Sequence, residues 1–521
     1  MITVGTAPGP APSPPAGQLT AIEELDYLLD RPAEPNLILW EIHGHGHLDR
    51  AALTAAVTAT FGADSGARRR LAGARRWDRH LYWRSAGPEP GRPLLTILSW
   101  RTPAELDALR ERLFAWPIAL ADSVVRIFLA AGPEHDVVIL QVHHTAFDGV
   151  SSLRLLGTIA EAYRSHVTAP HLRSVSGSTE HPAPDRPAHP APDRPAYTST
   201  PSHPQAPLHS QAPFHPSDPP NLKAPPIPEA PPIPEASYHP HDSPRPCWAA
   251  TPAPPGPLVP ASTPAPPRRP RAGTWPGPVT RIAPQTGQPG RPGYGFVLIS
   301  ERVPRPVWPG DGPRPTVNDL LVAALCLTID RWNAARGRAS GQISVTIPVN
   351  GRAAGQRWQG DGNLSWLTRV ATGPSHRADP DRLLRHVATQ TRAARDRGRT
   401  GGTDAISRLL ASGWAPVAVK RPVARLVRGL AAPVLTDTSL VSNLGLLPDP
   451  PTFDGSGTET LWLAGPCPMP RGLCVAAVTV AGQLHLSIRY RLALLDQAGA
   501  EDFTACFRAA LGELARPEAP S

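Results

Sequence analysis

An α/β (α+β) chain built as two halves of similar size is what this sequence predicts, from three observations. On both sides of a central gap, apolar residues alternate with period two in some segments and recur every three or four residues in others. Each side therefore supplies strands and helices that can pack as layers. The gap, residues 175–293, holds about half of the chain's 69 prolines, more than a compact globule accommodates. It is also repetitive: His181–Ala188 recurs at once as His189–Ala196, and Pro225–Ala230 as Pro231–Ala236. A stretch so poor in aliphatic residues has too little to bury to offset the entropy of ordering itself. The expected organisation is a disordered tail over 1–18, a first half over 19–174, a disordered Pro-rich linker over 175–293 and a second half over 294–517.

In the first half, Asn36–Ile42 reads as a strand, and Asp49 caps an alanine-rich helix through Phe61. Leu94–Trp100 is strand-like. Thr102-Pro103-Ala104-Glu105 is a capping box with proline at the first helical position, and Leu106, Leu109 and Leu113 share one face of the helix it opens. Val124–Leu129 and Val137–Val142 are β-rich runs around the turn Gly132-Pro133-Glu134, and the second delivers the chain into His143-His144. Helical spacing returns at Leu153, Leu156, Ile159 and Tyr163. In the second half Phe296–Ile299 is a strand, and Thr316-Val317-Asn318-Asp319 opens a helix through Trp332. Ile343–Val349 is a strand running into Asn350-Gly351-Arg352, and a short extended segment starts at Asp361-Gly362-Asn363. Val475–Val480 and Leu484–Tyr490 form a hairpin about Ala481-Gly482. A closing helix presents Phe503, Phe507, Ala510, Leu511 and Leu514 on one face.

The formal net charge of +9 is carried almost entirely by arginine, the lysines being Lys223 and Lys420. The surplus reads as a solvated surface, with a basic patch for coenzyme A phosphates or an acidic carrier protein as the alternative. No nucleic-acid-binding signature accompanies it. Five scattered cysteines without a Cys-x-x-Cys pair argue against a disulfide framework and against a zinc site, and no metal is expected. No apolar stretch reaches the ~18 residues a membrane span requires, and Met1–Gly17 has neither the basic nor the apolar region of a signal peptide. A cytoplasmic monomer without a transmembrane segment is expected. His43, His45 and His47 alternate as residues on one strand face do, a solvated face rather than a ligand set. Ile406–Leu430 is basic and amphipathic in places, with Arg408, Lys420, Arg421, Arg425 and Arg428. It reads as a surface helix pair interrupted by Pro416 and Pro422, rather than a docking element for a membrane or an acidic carrier.

The strongest chemical signal is His143-His144-Thr145-Ala146-Phe147-Asp148-Gly149. An imidazole at the end of a buried strand suits a general base, because its unperturbed pKa lies near working pH. An aspartate four residues on, before a glycine that permits a tight return, can hold the loop in shape. From these residues alone, a metal site and a purely structural histidine pair stay open beside the base.

Placed after a β-rich strand, preceded by Pro117 and Arg126 and followed by an amphipathic helix, this His-His-x-x-x-Asp-Gly segment resembles the condensation-domain superfamily of acyltransferases. That superfamily includes nonribosomal peptide condensation domains, polyketide-associated acyltransferases, wax ester synthases and chloramphenicol acetyltransferase-like enzymes. Thr316–Asp319, Pro348–Arg352, Gly362–Ser365 and Ser442–Gly445 resemble four further segments of the family, in the family's order. The resemblance covers nearly everything outside the tail and the linker. It implies two chloramphenicol acetyltransferase-like halves in a V-shaped pseudo-dimer, with a channel between them and His144 at its centre. It also implies acyl transfer from acyl-CoA or a phosphopantetheinyl carrier protein, acting in trans, to a small-molecule or carrier-bound hydroxyl or amine. No tightly bound cofactor is implied. His144, beside its motif partner His143, would take the acceptor's proton; Asp148 would form a structural ion pair with Arg352; Gly149 would let the backbone approach the reacting atoms; Ser442, Asn443 and Asn318 would line the channel. The chain departs from the family at Gly62–Arg68, where an Arg-His-Pro-like segment is usual, and in its long linker.

Natural-product or lipid biosynthesis is the expected setting. A free-standing amide-forming condensation enzyme on carrier-bound substrates is the rival within the fold, and a catalytically silent scaffold subunit the rival outside it. Intact His144, Asp148 and Gly149 count against silence. One base serves oxygen and nitrogen nucleophiles alike, so the motif leaves ester and amide products open.

Overall fold

A computed structural model describes residues 17–63, 66–73, 75–87, 93–176, 279–285, 292–306, 313–352, 354–360, 362–397, 409, 412–453 and 460–516. The expected tail up to residue 16, nearly all of the expected linker, Cys247 and Arg408 lie outside the described residues. Both large sheets belong to one compact unit.

The strands in chain order are β1 (Leu37–His43), β2 (Arg69–Leu71), β3 (Trp83–Ser85), β4 (Leu95–Ser99), β5 (Val125–Ala131), β6 (Asp136–His143), β7 (Tyr294–Arg302), β8 (Arg305–Pro306), β9 (Ile343–Asn350), β10 (Ser365–Thr372), β11 (Ser439–Leu446), β12 (Thr460–Ala464), β13 (Leu473–Val480), β14 (Gln483–Arg491) and β15 (Ala515–Arg516). The first large sheet runs β12-β1-β6-β5-β4 and the second β10-β9-β11-β13-β14-β7. Neighbours are antiparallel except β4 with β5, and β11 with both β9 and β13. The first sheet is completed from the second half, because β12 pairs Leu39 with Ala464 and Ile42 with Leu461 along β1.

Strand β6 is buried along its whole length, so both of its faces must be apolar. Val138, Leu140 and Val142 enter one core with Ile38, Trp40 and Ile42 of β1, beneath Leu153, Leu156, Ile159 and Tyr163 of the helix Gly149–Ser176. Val137 and Ile139 enter another with Leu37 and Leu39, beneath Leu106, Leu109 and Leu113 of the helix Pro103–Ala115. In the second half, the helix Val317–Ala334 is buried from Asp319 through Ile329, between the sheet and the helix Gln497–Leu514. The β13–β14 hairpin turns through Ala481 and Gly482 at φ values of 46° and 78°, the left-handed pair that a two-residue hairpin demands.

Several expectations need correction. Thr102 caps its helix, but the Glu105 carboxylate accepts from Arg101 N at 2.7 Å, one residue before the N-cap. Strand β1 ends at His43, so His43, His45 and His47 share no strand face; His47 instead lies 3.2 Å from Asp136. Cys506 is disulfide-bonded, although scattered spacing had argued against disulfides. Pro422 does not interrupt its helix, which runs Val417–Leu435 with Pro416 as its N-cap. The helix is exposed on one face, at Leu426 and Leu430, but its other face is buried. Lys420 is 0% exposed, donating to Glu24 at 2.8 Å and to the Arg79 carbonyl at 2.7 Å. Arg425 and Arg428 donate to the Asp30 and Leu29 carbonyls. All of these partners but Arg79 flank or belong to the helix Ala21–Leu29, which opens on a reciprocal Thr20–Glu23 capping box. No helix among the described residues is long and apolar enough to cross a membrane.

Because Glu24 and Lys420 are both fully enclosed, removing one strands the other's charge. Lys420→Met should cost roughly 3–5 kcal/mol, and Glu24→Leu added to it should recover most of that loss. The urea midpoints of the single and double variants check both.

Candidate active site

Strand β6 ends in His143, whose ring is buried. Its Nδ1 accepts from Thr145 N at 3.2 Å and its Nε2 lies 3.7 Å from Asp30. The motif then turns tightly: Ala146 N and Phe147 N both donate to the His143 carbonyl, and Phe147 is driven into the first core. His143 is therefore a packing residue of the turn. His144 follows it, its N–H given to Asn36 O at 2.8 Å, and alternation sends its ring the other way, onto a cavity of about 1870 Å³. Both halves wall that cavity, which touches His144, Asp148, Gly149, Asn318, Ser442 and Asn443. The candidate residues predicted from sequence thus converge, apart from His143.

Asp148 is buried and saturated. One carboxylate oxygen accepts from Ser151 N at 2.8 Å, Ser151 Oγ at 3.0 Å and Arg352 Nη2 at 3.2 Å. The other accepts from Arg352 Nη1 at 2.7 Å, Leu364 N at 3.0 Å and Ser365 Oγ at 3.2 Å. The two side chains are 1% and 2% exposed. Burial pushes the carboxyl up, but the Arg352 guanidinium with the Ser151 and Leu364 N–H groups outweighs it and holds the pKa below the ordinary value. Asp148 starts the helix Gly149–Ser176 and also receives Ser152 Oγ on its carbonyl at 2.7 Å.

Two residues that the sequence reading did not assign to the site meet His144. Asp26, on the helix Ala21–Leu29, places Oδ2 3.6 Å from Nδ1. Asn363 donates through Nδ2 to Asp26 Oδ2 at 2.9 Å and to the His144 carbonyl at 3.1 Å. Asn363 is itself framed by the ion pair, since Arg352 donates to Gly362 O and Leu364 N donates to Asp148. Burial pulls the His144 imidazole down. Asp26, the residue's own carbonyl and Asp148 push it up further, so its pKa stands above the ordinary histidine value. The ring is 26% exposed, toward the cavity. The signal for Asp26 was the Thr20-x-x-Glu23 capping box, which announces a helix but not what it faces.

Ser442 and Asn443 lie on β11. Asn443 accepts from Gly445 N at 2.9 Å, at a register shift where Gly445 takes a φ of 80°. A Cβ on Gly149 would meet Leu444 at 3.4 Å, an ordinary contact, so the protein's own packing does not demand glycine there.

No family model matches the sequence. Two uncharacterized proteins of Mycobacterium tuberculosis, from different strains, are each 25% identical over 460 residues, spanning 85% of this chain and 86% of theirs. Among solved structures, the first condensation domain of the CDA synthetase superposes with a TM-score of 0.51 at 14% identity, over 97% of this chain and 98% of that one. The chain has the condensation-domain fold. The starter condensation domain of rhizomide synthetase RzmA has a TM-score of 0.50 at 12% identity, over 96% of each chain. On the condensation-domain fold of this chain, the His-His-x-x-x-Asp-Gly turn is tied to the second half by Asp148 and Arg352.

Breaking that tie leaves a buried guanidinium without its counter-charge, so Asp148→Asn should cost roughly 3–5 kcal/mol. The Asp148 pKa is lowered in the folded state, so its contribution is present above the unfolded value of about 3.9 and is lost as pH falls toward the folded value. Denaturation measured from pH 7 down to pH 3 should therefore show a wild-type stability loss that Asp148→Asn largely lacks.

Proposed function

We propose that this chain is an acyltransferase that moves an acyl group from a thioester, of coenzyme A or of a carrier protein supplied in trans, onto a hydroxyl or amine. The observation that carries this is the setting of His144: a histidine held at Nδ1 and open to a cavity lined by both halves. In the reaction, His144 takes the proton from the acceptor as it attacks the thioester carbonyl, and returns it to the departing thiolate. Asp148 takes no part in proton transfer, because six hydrogen bonds occupy its two oxygens. Its service is to the turn. Gly149 keeps the cavity wall low beside His144, and Ser442, Asn443 and Asn318 are surfaces against which substrate lies. The cavity exceeds the several hundred Å³ of an ordinary small-molecule site, which favours two substrates, or one with a long acyl chain. Natural-product or lipid biosynthesis is the setting we infer. An amide-forming enzyme on carrier-bound substrates is the second reading, favoured by the condensation domains that share the fold.

Thiol release from octanoyl-CoA and octanoyl-pantetheine, with 1-octanol and octylamine as acceptors, tests the proposal. His144→Ala should lower turnover ~10²–10⁴-fold, the usual cost of losing a general base, without unfolding the protein. Wild-type turnover in that variant would remove His144 from the mechanism. Because the pKa of His144 is raised, the acidic limb of kcat/KM should lie above the free-imidazole value of about 6.5.

A further inference from the structure

We propose that Asp26 is a positioning residue for His144: it holds the imidazole with its proton on Nδ1 and its lone pair on Nε2 toward the cavity, and it balances the charge when the ring is protonated. This rests on the reading of His144 as the base.

The hydrogen count at Nδ1 supports it. Asn363 Nδ2 carries two hydrogens, and they go to Asp26 Oδ2 at 2.9 Å and to the His144 carbonyl at 3.1 Å. Its 3.3 Å approach to Nδ1 therefore brings no hydrogen. Among the described residues Nδ1 then faces two acceptors, the His144 carbonyl and the Asp26 carboxylate at 3.6 Å, and these favour a hydrogen on Nδ1. Asp26 is free for this work because its helix is anchored by other acids, Glu23 through the capping box and Arg69, and Glu24 through Lys420. Asp26 makes its contacts with Asn363 and His144 at the cavity wall. The other charged groups around the ring are accounted for. Asp148 is matched by Arg352, and Arg69, which reaches the Ala146 carbonyl, is matched by Glu23.

The proton balance closes without any further reagent. The acceptor's X–H bond breaks, its proton passes to Nε2, and the new X–C bond forms as the carbonyl π pair moves to oxygen. The imidazolium then lies between Asp26 and the developing oxyanion. When the C–S bond breaks, the thiolate takes the proton from Nε2. Nδ1 keeps its hydrogen throughout, the division of labour of a histidine oriented by a carboxylate.

Histidine-labelled full-length protein, with the His144 signal assigned by its loss in His144→Gln, tests this by NMR titration without substrate. Asp26→Asn should titrate at lower pH than wild type and lose the single Nδ1–H tautomer, while Asp26→Glu should stay near wild type. With octanoyl-CoA and 1-octanol, Asp26→Asn should lower kcat, by up to ~10⁴-fold as a wrong tautomer can, leave KM within ~2-fold, and move the acidic limb to lower pH. Added to His144→Ala it should cost nothing further. Should Asp26→Asn fail to fold, Asp26→Ser repeats the titration. A folded Asp26 variant whose His144 titrates unchanged, or at higher pH, overturns the proposal. Wild-type turnover in His144→Ala alongside a lowered titration in Asp26→Asn overturns the base reading and leaves the positioning role standing.

Discussion

The Asp148–Arg352 pair is the constraint on which the site depends. Two opposite charges sit almost entirely out of water, one on the motif turn of the first half and one just beyond β9 of the second. A carboxylate so enclosed is tolerable only if its lone pairs are met, and here Arg352, Ser151, Leu364 and Ser365 meet them. Both donors from Leu364 and Ser365 come from the approach to β10, so the charge fixes backbone as well as side chains. Asn363 is caught between Gly362, held by Arg352, and Leu364, held by Asp148. From there its amide reaches the His144 carbonyl and Asp26. The histidine is thus placed by a path that begins at a charge it never touches.

Buried charge recurs wherever elements distant in sequence must meet. Glu24 and Lys420 join the first helix to the helix Val417–Leu435. Glu41 on β1 is gripped by Arg110 of the helix Pro103–Ala115. Burial pushes that carboxyl up, yet Arg110 and His43 hold it down to about 2. Such pairs add little net stability over apolar packing, but a mispaired alternative would leave charges stranded. A chain whose halves are separated by more than a hundred residues gains register from that penalty. Part of the arginine surplus that composition assigns to a solvated surface is therefore structural.

What the sequence discloses follows the range of the forces involved. Strands β1, β5 and β6, the helix Val317–Ala334 and the β13–β14 hairpin were legible because period, caps and turn residues are local. The motif from His143 to Gly149 stands out from its residues as a candidate base and loop, whereas Arg352 as the partner of Asp148 was legible only through resemblance. Spacing cannot say that residues 204 apart will touch. Strand β12 escaped notice because five residues, Thr460–Ala464, carry too little pattern, and its partner β1 lies at the other end of the chain. The helix Val417–Leu435 departs from its pattern for a physical reason. Proline reads as a breaker, whereas Pro416 caps and Pro422 falls in the second turn, and Lys420, on an otherwise partly exposed helix, meets the buried Glu24. Asp26 is the same case in the site, an acid whose meaning lies wholly in its tertiary neighbours.

Two opposed effects on His144 show why a carboxylate belongs beside it. A ring set into a wall loses hydration on becoming charged, so burial alone would make it a poor acceptor of the proton that the proposed reaction brings to it. An exposed ring would keep its basicity, but would share the cavity with water able to hydrolyse the proposed thioester donor. Asp26 separates these requirements. It restores proton affinity through Nδ1, at the cavity wall, and leaves Nε2 to the substrates of the proposed reaction. In the proposed reaction the raised pKa means that a larger share of resting protein carries the proton, which slows the first step. The same interaction lowers the energy of the imidazolium on which the later proposed steps depend. General-base catalysis is most effective when proton affinity lies close to working pH, and at His144 burial and Asp26 pull that affinity in opposite directions, the upward pull prevailing.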